Sequence, residues 1–547
     1  MKKALLTLIL ILLLMPAAQG ASLTAPESWK PFAEDHILYT PSADGTLTLR
    51  VHDEYIDYTI STQAVSADTP IDITWDARME NGEPLRRGTY TLSAVLNTES
   101  DVLTEEMTLS VKKAARALEY VIPSADVLYA GYDGYRVHYL LTASGTVRIR
   151  AYSAEDTETP LRSWSYVRDD LQSHQFQWNG TVNDKKLPAG EYILTFEAVD
   201  GCGDIQTVPV TILDCAPPSK AIALTDNELY LPSDMTDDAA VWQALMSPIV
   251  VADVNKIKYI NIYAEATSRS QLLAKAHGQS VGLKILETDV GGFAKVAAWC
   301  GEGGSYVEGY VKQSALMTVY PNTHYGLVVD KNAQTLTVYM DGVKLGVMKV
   351  TTGLMIKNDK TRETRAGAFI TLDRFPSFVN DGRTYHYAIR TDGGTLIHSV
   401  GTDIRSNKWD YTIELPLLGH KASHGCVRVN PNVQEDGLNM YWLWTHIPYG
   451  VKVLIIDDPE AREQRLVELA DSSLNFLPLT YGSKDSHVKN LQNLLKDLDL
   501  LKGKPDGVYG ALTRDAVLTF QQNEGLPCTG ICDTQTWLLL KKRCSAL

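Results

Sequence analysis

The stretch "HYGLVVDKNAQTLTVYMDGVKLGVMKVTTG", His324–Gly353, alternates apolar and polar residues on both sides of two short polar turns. Such alternation is typical of strands that bury one face, and the turns "DKNAQ" and "DGVK" predict hairpins between them. Further short apolar runs follow in "TRAGAFITL", "YHYAIRTDGGTLIHSV" and "YGVKVLIID". The sequence therefore predicts a mostly β domain over residues 322–457.

Within this domain, the segment "LLGHKASHGCVRVNP" places His420, His424, Cys426 and Arg428 close together. As zinc ligands, the two imidazoles and the thiol have a spacing that suits neither one helix face nor a cysteine knuckle. A purely structural loop gives no reason for these residue types. A nucleophile explains them best, because an adjacent imidazole lowers a thiol pKa and favours the thiolate that attacks a carbonyl.

The neighbours of the thiol also suit acyl transfer. Gly425 lets the backbone approach closely, so that the N–H groups of Gly425 and Cys426 can point at a developing oxyanion. If the segment is extended, His424, Cys426 and Arg428 lie on one face. This arrangement would place a fixed positive charge beside the thiol, where it could bind a substrate carboxylate.

The motif "SHGCVRVN" resembles the [S/T]-H-G-C-x-[N/R] signature of the L,D-transpeptidase (YkuD-type) catalytic domain, and "LIHSV" resembles that family's upstream histidine motif. The resemblance implies that Cys426 is the nucleophile and His398 its general base. It implies that the backbone carbonyl of Ser399 fixes the tautomer of the imidazole. It assigns an oxyanion-hole role to His424 and Gly425 and a substrate-binding role to Arg428 and Ser423.

The spacing of the two motifs departs from the family pattern. Here 24 residues separate His398 from Ser423, which is more than the family usually has. The excess lies around "GTDIRSNKWDYTIELP", and we expect it to form a longer lid strand or hairpin. His420 is too near the thiol in sequence to match the family's base.

The resemblance also implies a reaction. The thiolate would attack the amide before the terminal D-Ala of a peptidoglycan stem tetrapeptide, release D-Ala and leave a thioester, which an amine of a neighbouring stem would resolve. With water as the acceptor, the enzyme would be an L,D-carboxypeptidase. The alternative from another class is a wall-bound scaffold or adhesin whose cysteine domain is inert. No cofactor and no metal is expected.

The C-terminal residues 479–545 carry apolar residues at helical spacing and the turn "DGVYG", with Thr513 as the expected N-cap of the helix that follows. This segment resembles the peptidoglycan-binding domain, a three-helix module, at Gln492, Gly507 and Gln521 among other positions. The resemblance implies peptidoglycan as the partner.

An internal repeat occupies the N-terminal part. "ITWDARMENGEPLRRGTYTLSAVLN" (Ile73–Asn97) and "FQWNGTVNDKKLPAGEYILTFEAVD" (Phe176–Asp200) both carry Trp, a polar turn and Gly-x-Tyr opening an alternating strand. We infer two β-sandwiches, over 30–113 and 114–215. They resemble the immunoglobulin-like domain of flagellar hook-capping proteins, which implies spacing or binding of a protein partner.

The remaining segments complete a multidomain, mainly β chain with a C-terminal three-helix module. Residues 216–246 and 458–478 are predicted linkers. Residues 247–317 contain "INIYAEAT" and "EGYVKQSAL", short strands that resemble a bacterial Src-homology-3-like barrel. The small barrel can serve as a spacer or bind a ligand.

The first residues, "MKKALLTLILILLLMPAAQGAS", read as a secretory signal peptide over 1–20, with cleavage expected after Gly20. No later stretch is long and apolar enough to span a membrane. The expected location is therefore extracytoplasmic, in the cell wall or periplasm. Six cysteines besides Cys426 leave the disulfide pairing open, with Cys202–Cys215 and Cys544 with Cys528 or Cys532 as local candidates. All six can equally be buried free thiols.

The chain has 66 acidic and 51 basic residues and a net charge of -15. This balance argues against nucleic acid and anionic membranes as electrostatic partners. An anionic wall polymer would need a specific site.

Overall fold

The computed structural model describes residues 22–170, 172–203, 205–222, 235–403 and 410–546. The described chain is mainly β, as predicted, with most of its helical residues at the C-terminal end. It divides into a unit that ends at Ala115 and a unit that begins at Arg116. The predicted signal peptide lies outside the described residues. Within them, no helix is both long and apolar enough to cross a membrane.

The first unit consists of two sheets around one core. Its strands are β1 (Ser22–Thr24), β2 (Ser28–Trp29), β3 (Asp35–Thr40), β4 (Gly45–His52), β5 (Asp57–Val65), β6 (Ile71–Trp75), β7 (Gly88–Asn97) and β8 (Val102–Val111). One sheet has the order β2-β8-β7-β4-β5 and the other β1-β3-β6. Alternate residues of the strands point inward, and the core between the sheets contains Trp29, Leu49 and Trp75.

The second unit begins with a similar pair of sheets. Its strands are β9 (Leu118–Pro123), β10 (Val127–Tyr129), β11 (Arg136–Leu141), β12 (Gly145–Ser153), β13 (Arg162–Arg168), β14 (His174–Gln177), β15 (Thr181–Val182), β16 (Lys185–Lys186), β17 (Gly190–Ala198) and β18 (Gln206–Leu213). The sheet orders are β10-β18-β17-β12-β13 and β14-β11-β9, with β15 and β16 as a hairpin. Tyr139 and Phe196 lie in the core between the two sheets.

The residues of the sequence repeat make the same local hydrogen bonds in both copies. Trp75 and Trp178 each donate from Nε1 to the carbonyl three residues on, at 2.8 and 3.1 Å. Tyr90 and Tyr192 each donate from the hydroxyl to the carbonyl four residues back, at 2.9 and 3.0 Å. The Trp and Tyr of the repeat therefore stabilise the turns at the ends of the strands, because each side chain donates a hydrogen bond to a backbone carbonyl there.

A helix and a small sheet follow. They are α1 (Asp238–Met246), β19 (Ile249–Ala252), β20 (Tyr259–Tyr263), β21 (Leu272–His277), β22 (Lys284–Val290), β23 (Phe293–Ala298), β24 (Val307–Lys312) and β25 (Leu316–Val319). The sheet order is β21-β20-β24-β23-β22, with β19 paired to β25. Asp237 caps α1 by accepting from the N–H groups of Ala239 and Ala240. Near the C-terminal end of the helix, the carbonyl of Ala244 accepts a hydrogen bond from Nζ of Lys452 at 2.7 Å. Part of the predicted linker 216–246 is thus a packed helix.

The largest sheet holds the cysteine motif. Its elements are β26 (Tyr325–Asp330), β27 (Thr335–Met340), β28 (Val343–Thr351), β29 (Gly367–Ile370), β30 (Arg374–Asn380), β31 (Arg383–Asp392), β32 (Thr395–Ser399), β33 (Thr402–Asp403), β34 (Val427–Val429), α2 (Met440–His446) and β35 (Lys452–Ile456). The strand order is β29-β35-β26-β27-β28-β34-β32-β31-β30, with β33 beside β31. The predicted hairpins of His324–Gly353 are β26, β27 and β28. The short strand β34 lies between β28 and β32.

The C-terminal part is helical, with α3 (Pro459–Ala470), α4 (Ser486–Asp497), α5 (Ala511–Asn523) and α6 (Thr534–Cys544). Asp485 and Asp533 cap α4 and α6. The prediction that Thr513 caps α5 is wrong, because α5 begins at Ala511 and the Thr513 hydroxyl accepts a hydrogen bond from Gln492 instead. Gln492 also accepts from the N–H of Gly507, so this glutamine joins α4 to the "DGVYG" turn.

A buried ionic cluster joins the large sheet to the start of α3. Nζ of Lys331 lies 2.8 Å from Glu363, 2.7 Å from Asp458 and 3.2 Å from Asp457. Lys421 also contacts Glu363 and Asp458. Removing a cation from a buried cluster leaves carboxylates whose negative charges are less well neutralised.

We expect Lys331→Ala to lower the free energy of unfolding of the part that contains the large sheet by about 3–5 kcal/mol, because the remaining buried carboxylates lose their central cation. Calorimetric unfolding of the full chain measures this loss. Lys344→Ala, at an exposed position on the neighbouring hairpin, is the matched control and should change little. Equal unfolding curves for the two variants would contradict the stabilising role of the cluster.

Candidate active site

Strand β34, which follows the predicted nucleophile, lies beside the strand that carries the predicted base. It pairs in parallel with β32, with His398 opposite Arg428, so that these two side chains share a face of the sheet. Cys426 immediately precedes β34, two positions before Arg428. Its Sγ lies 4.0 Å from the carbonyl oxygen of Gly394, which immediately precedes β32. The thiol and the imidazole therefore both lie along β32, in one region of the sheet.

The turn before the thiol is fixed by hydroxyl groups. Ser423 donates to the carbonyl of Cys426 at 2.5 Å and accepts from the N–H of Gly425 at 3.2 Å. Ser423, which is 1% exposed, thus stabilises the loop, and its contact with substrate stays a prediction. The Gly425 N–H is engaged by this serine, so in this conformation it is not directed at an oxyanion as predicted.

The backbone of Gly425 requires a glycine. Its φ of +111° lies in a region that L side chains rarely adopt. The carbonyl of Gly425 accepts from the hydroxyl of Thr364 at 2.8 Å, and the same hydroxyl accepts from the N–H of Gly353. A Cβ at Gly353 would lie only 2.9 Å from the Cα of Gly425. The two glycines allow the close contact that positions the cysteine loop.

His398 is buried, with 1% of its surface exposed. Its Nδ1 lies 2.6 Å from the carbonyl of Ser399, and because a carbonyl only accepts, Nδ1 carries the hydrogen. The other nitrogen, Nε2, is then an acceptor when the ring is neutral. The bond to Ser399 has the geometry that the family pattern implied. Aromatic rings of Phe378 and Tyr385 contact the imidazole edge to face.

Burial shifts the pKa values of both the candidate nucleophile and the candidate base. It lowers the pKa of His398 to about 3, with Arg428 acting in the same direction. Burial also raises the pKa of the Cys426 thiol, against smaller opposite effects of the Leu396 backbone and of Arg428 and Arg390. Both shifts favour the neutral forms, a thiol at Cys426 and an imidazole at His398. Desolvation of the Cys426 thiol thus opposes the thiolate that the motif predicts, and Arg428 and Arg390 favour it less strongly.

Arg428 is paired inside the protein. Its guanidinium lies 3.3 Å from the carboxylate of Glu414 and donates to the Tyr385 hydroxyl at 3.3 Å. Glu414 also contacts Arg383 at 3.1 Å and accepts from the N–H of Gly401 at 2.7 Å. The fixed positive charge that was predicted beside the thiol is thus largely neutralised by Glu414. Glu414, Arg383 and Tyr385 carried no motif signal in the sequence.

His424 and His420 lie outside this buried cluster. His424 belongs to the turn rather than to β34, and its Nδ1 lies 3.1 Å from Asp381 at the tip of the β30–β31 hairpin. The predicted common face therefore holds for Cys426 and Arg428 but does not extend to His424. Among the described residues, no group of three or more His, Cys, Asp or Glu side chains is arranged to hold a metal ion.

The long segment between the two motifs is only partly described. Its residues 404–409, in the expected lid, lie outside the described residues. The described part supplies Glu414 and a helical turn at Leu415–Leu417, whose Leu417 carbonyl accepts from Thr351 at 2.6 Å. All seven cysteines, including those of the candidate pairs, are free thiols in the described chain.

The alkylation of Cys426 by iodoacetamide should speed up with pH through a midpoint above about 8.5, the ordinary pKa of a thiol. The reason is that burial raises the pKa of this thiol, while His398 is neutral above its pKa of about 3 and supplies no imidazolium. Mass spectrometry of the Cys426 peptide measures the rate. The same measurement on Cys426→Ala gives the background from the other thiols. A midpoint below neutral pH would indicate a resting thiolate.

Two family models match the chain. Residues 324–455 match the "L,D-transpeptidase catalytic domain" and residues 484–540 the "Putative peptidoglycan binding domain". Both resemblances predicted from the sequence are thereby confirmed for these segments. No curated protein matches the chain.

Solved structures with similar regions are remote. An L,D-transpeptidase from Mycobacterium smegmatis is 17% identical, covers 36% of this chain and 95% of its own, and has a TM-score of 0.21. L,D-transpeptidase 3 from Mycobacterium tuberculosis is 15% identical over 37% of this chain and 100% of its own, with a TM-score of 0.20. A fused Zn-dependent amidase/peptidase/peptidoglycan-binding domain-containing protein from Clostridium acetobutylicum is 18% identical over 24% of this chain, with a TM-score of 0.18. The chain spans about half, 52%, of that last protein.

Proposed function

We propose that this chain is a secreted cell-wall enzyme, a cysteine L,D-transpeptidase that cross-links peptidoglycan stem peptides through a thioester and releases D-Ala. The observation that carries the proposal is the register of β32 and β34. It places His398, with its tautomer fixed by the Ser399 carbonyl, on the strand that borders the Cys426 thiol. The match of the surrounding residues to the L,D-transpeptidase catalytic domain supports the same reaction.

In the first step, Nε2 of His398 takes the proton of the Cys426 thiol as the sulfur attacks the carbonyl carbon before the terminal D-Ala. Because both groups are neutral at rest, the proton transfer accompanies the attack. The imidazolium then returns the proton to the departing amine. The C–N bond breaks, D-Ala leaves, and the acyl group remains on sulfur as a thioester.

In the second step, an amine of a neighbouring stem attacks the thioester while His398 accepts its proton. The new amide forms, the C–S bond breaks, and the proton returns to the sulfur. The Cys426 N–H and His424 are proposed to contact the oxyanion. Arg428 is proposed to act mainly by ordering the substrate side of the site through Tyr385 and Glu414. Water in place of the amine would give an L,D-carboxypeptidase.

The other modules are proposed to bring the chain to the cell wall and to hold it there. Residues 1–20 would direct export, and residues 479–545 would bind peptidoglycan, consistent with the family match there. We infer immunoglobulin-like folds for 30–113 and 114–215, supported by their paired sheets and common Trp and Tyr bonds. A Src-homology-3-like fold for 247–317 is supported by its five-stranded sheet.

The test combines product analysis with trapping of the acyl-enzyme. The full chain is incubated with a soluble disaccharide-tetrapeptide, and free D-Ala and cross-linked dimers are measured. By family analogy, a carbapenem should acylate the protein, and we expect its adduct on the Cys426 peptide. D-Ala without dimers would indicate the carboxypeptidase. Neither D-Ala nor an adduct would favour the non-catalytic scaffold.

A further inference from the structure

A polar cleft next to Arg428 has walls from two modules. Its volume is about 310 Å³, and on the catalytic side it is lined by Asp381, Tyr385, His424 and Arg428. The opposite wall includes Tyr481 and Arg514 of the C-terminal module. Clefts of this size bind small ligands or short peptide segments. The module predicted to bind the polymer thus also borders the region that receives the reacting peptide.

The C-terminal module is held in this position by α3. Arg462 donates to the carbonyl of Gly304 at 3.1 Å, and Arg465 donates to the carbonyls of Met355 and Leu477 at 3.0 and 2.6 Å. Both arginines are buried. The predicted linker 458–478 is therefore largely a fixed helix, and the cleft has a defined second wall.

A direct contact also joins the two walls. The guanidinium carbon of Arg383 lies 5.8 Å from the ring centroid of Tyr481, within the range of a cation–π interaction. Tyr481 keeps 40% of its surface exposed, so part of its ring remains open to a ligand. An aromatic ring of this kind can pack against an apolar side chain or a peptide plane.

The charged groups of the cleft retain hydrogen-bonding capacity. Within the described part of the chain, Arg514 donates from Nε and Nη2 only to Asp515, at 3.1 and 2.9 Å, and a guanidinium has five N–H donors. Arg428 is 7% exposed, and its Nε has no hydrogen-bond partner among the described residues. Acidic Asp381 and Asp403 also line the cleft. A lining of both signs suits a ligand with both a carboxylate and an ammonium group.

We propose that the C-terminal module forms part of the peptide-binding site, with Arg514 binding a carboxylate and Tyr481 packing on the backbone of a zwitterionic peptide segment of the substrate. This inference rests on the proposed function, for which the stem peptide is such a segment. The module then binds the substrate at the reacting peptide as well as anchoring the chain to the polymer. Both residues are binding residues and take no part in proton transfer.

The experiment uses a soluble disaccharide-tetrapeptide. Because this ligand is not part of a polymer, anchoring of the chain to the wall cannot affect the result. In the full chain, Arg514→Ala and Tyr481→Ala should each raise KM for D-Ala release about tenfold, because each removes one substrate contact, with kcat changed much less. Arg543→Ala is the matched control. Like Arg514, Arg543 is a helical arginine paired with a carboxylate, that of Glu524, but it does not line the cleft. The KM of Arg543→Ala should therefore equal that of the wild type.

Binding is also measured without turnover, by calorimetry of the same ligand with Cys426→Ala protein that carries each second substitution. We expect Kd to rise about tenfold for the cleft variants and not for Arg543→Ala. Unchanged KM and Kd, with weaker binding only to intact sacculi, would overturn the proposal in favour of simple anchoring. A wild-type chain that releases no D-Ala would instead refute the proposed function, and the calorimetric result would still test the cleft.

Discussion

Replacing Cys426 by alanine is expected to reduce D-Ala release from a soluble tetrapeptide stem by at least about a thousandfold, because the acyl group then has no acceptor atom in the site. The expected size follows from covalent catalysis, in which loss of the nucleophile removes the whole two-step route. The measurement is free D-Ala and dimer formation with full-length protein. The thioester or carbapenem adduct should disappear from the same peptide.

The control for this variant is another Cys→Ala substitution. Cys215 is an exposed thiol that follows β18, outside the sheet that contains the cysteine motif, and Cys215→Ala should retain the wild-type rate. If Cys426→Ala yields the same products as the wild type, the enzyme hypothesis is wrong. The chain would then be better described as a wall-bound scaffold.

The second large effect is expected for His398→Gln, with a loss of about 10²–10⁴-fold in kcat. Glutamine fills a similar volume but does not accept a proton as imidazole does. The half-buried thiol, whose pKa is raised, would then have to lose its proton without a base. Measuring kcat and the calorimetric unfolding midpoint on the same samples separates catalysis from stability.

The matched variant is His446→Gln. His446 is an exposed histidine of the same domain, and its ring stacks on Trp442 at the end of α2, so we expect its kcat to stay near the wild-type value. A His398→Gln protein with normal kcat would remove His398 as the base. Raising the pH should partly restore the rate of His398→Gln, since hydroxide can then deprotonate the thiol, whereas a merely unfolded protein would not recover.

The sequence predicted those parts of the fold and site that depend on local patterns. The alternation in His324–Gly353 predicted the hairpins β26 to β28, and the Trp and Tyr of the repeat mark the same hydrogen bonds in both copies. Short motifs identified Cys426 as the candidate nucleophile and His398 as the candidate base. These features were accessible because each depends on residues a few positions apart, or on a family signature.

The features that the sequence did not predict depend on contacts between distant segments. Glu414 neutralises Arg428 from within the long insertion, and Thr364 holds Gly425 from 61 residues away. The protonation states of Cys426 and His398 follow from burial, which only the folded sheet determines. Thr513 has the residue type of a helix cap but lies inside α5, and Gln492 of a neighbouring helix donates a hydrogen bond to its hydroxyl.

The anchoring of α3 has a consequence for how the chain would work along a wall polymer. A module on a loose tether samples many separations, and its local concentration depends on tether length. Here Arg462 and Arg465 fix the separation between the C-terminal module and Cys426. We therefore expect a bound strand to present stems to the thiol at a set distance, so that new cross-links would follow a regular spacing along the strand.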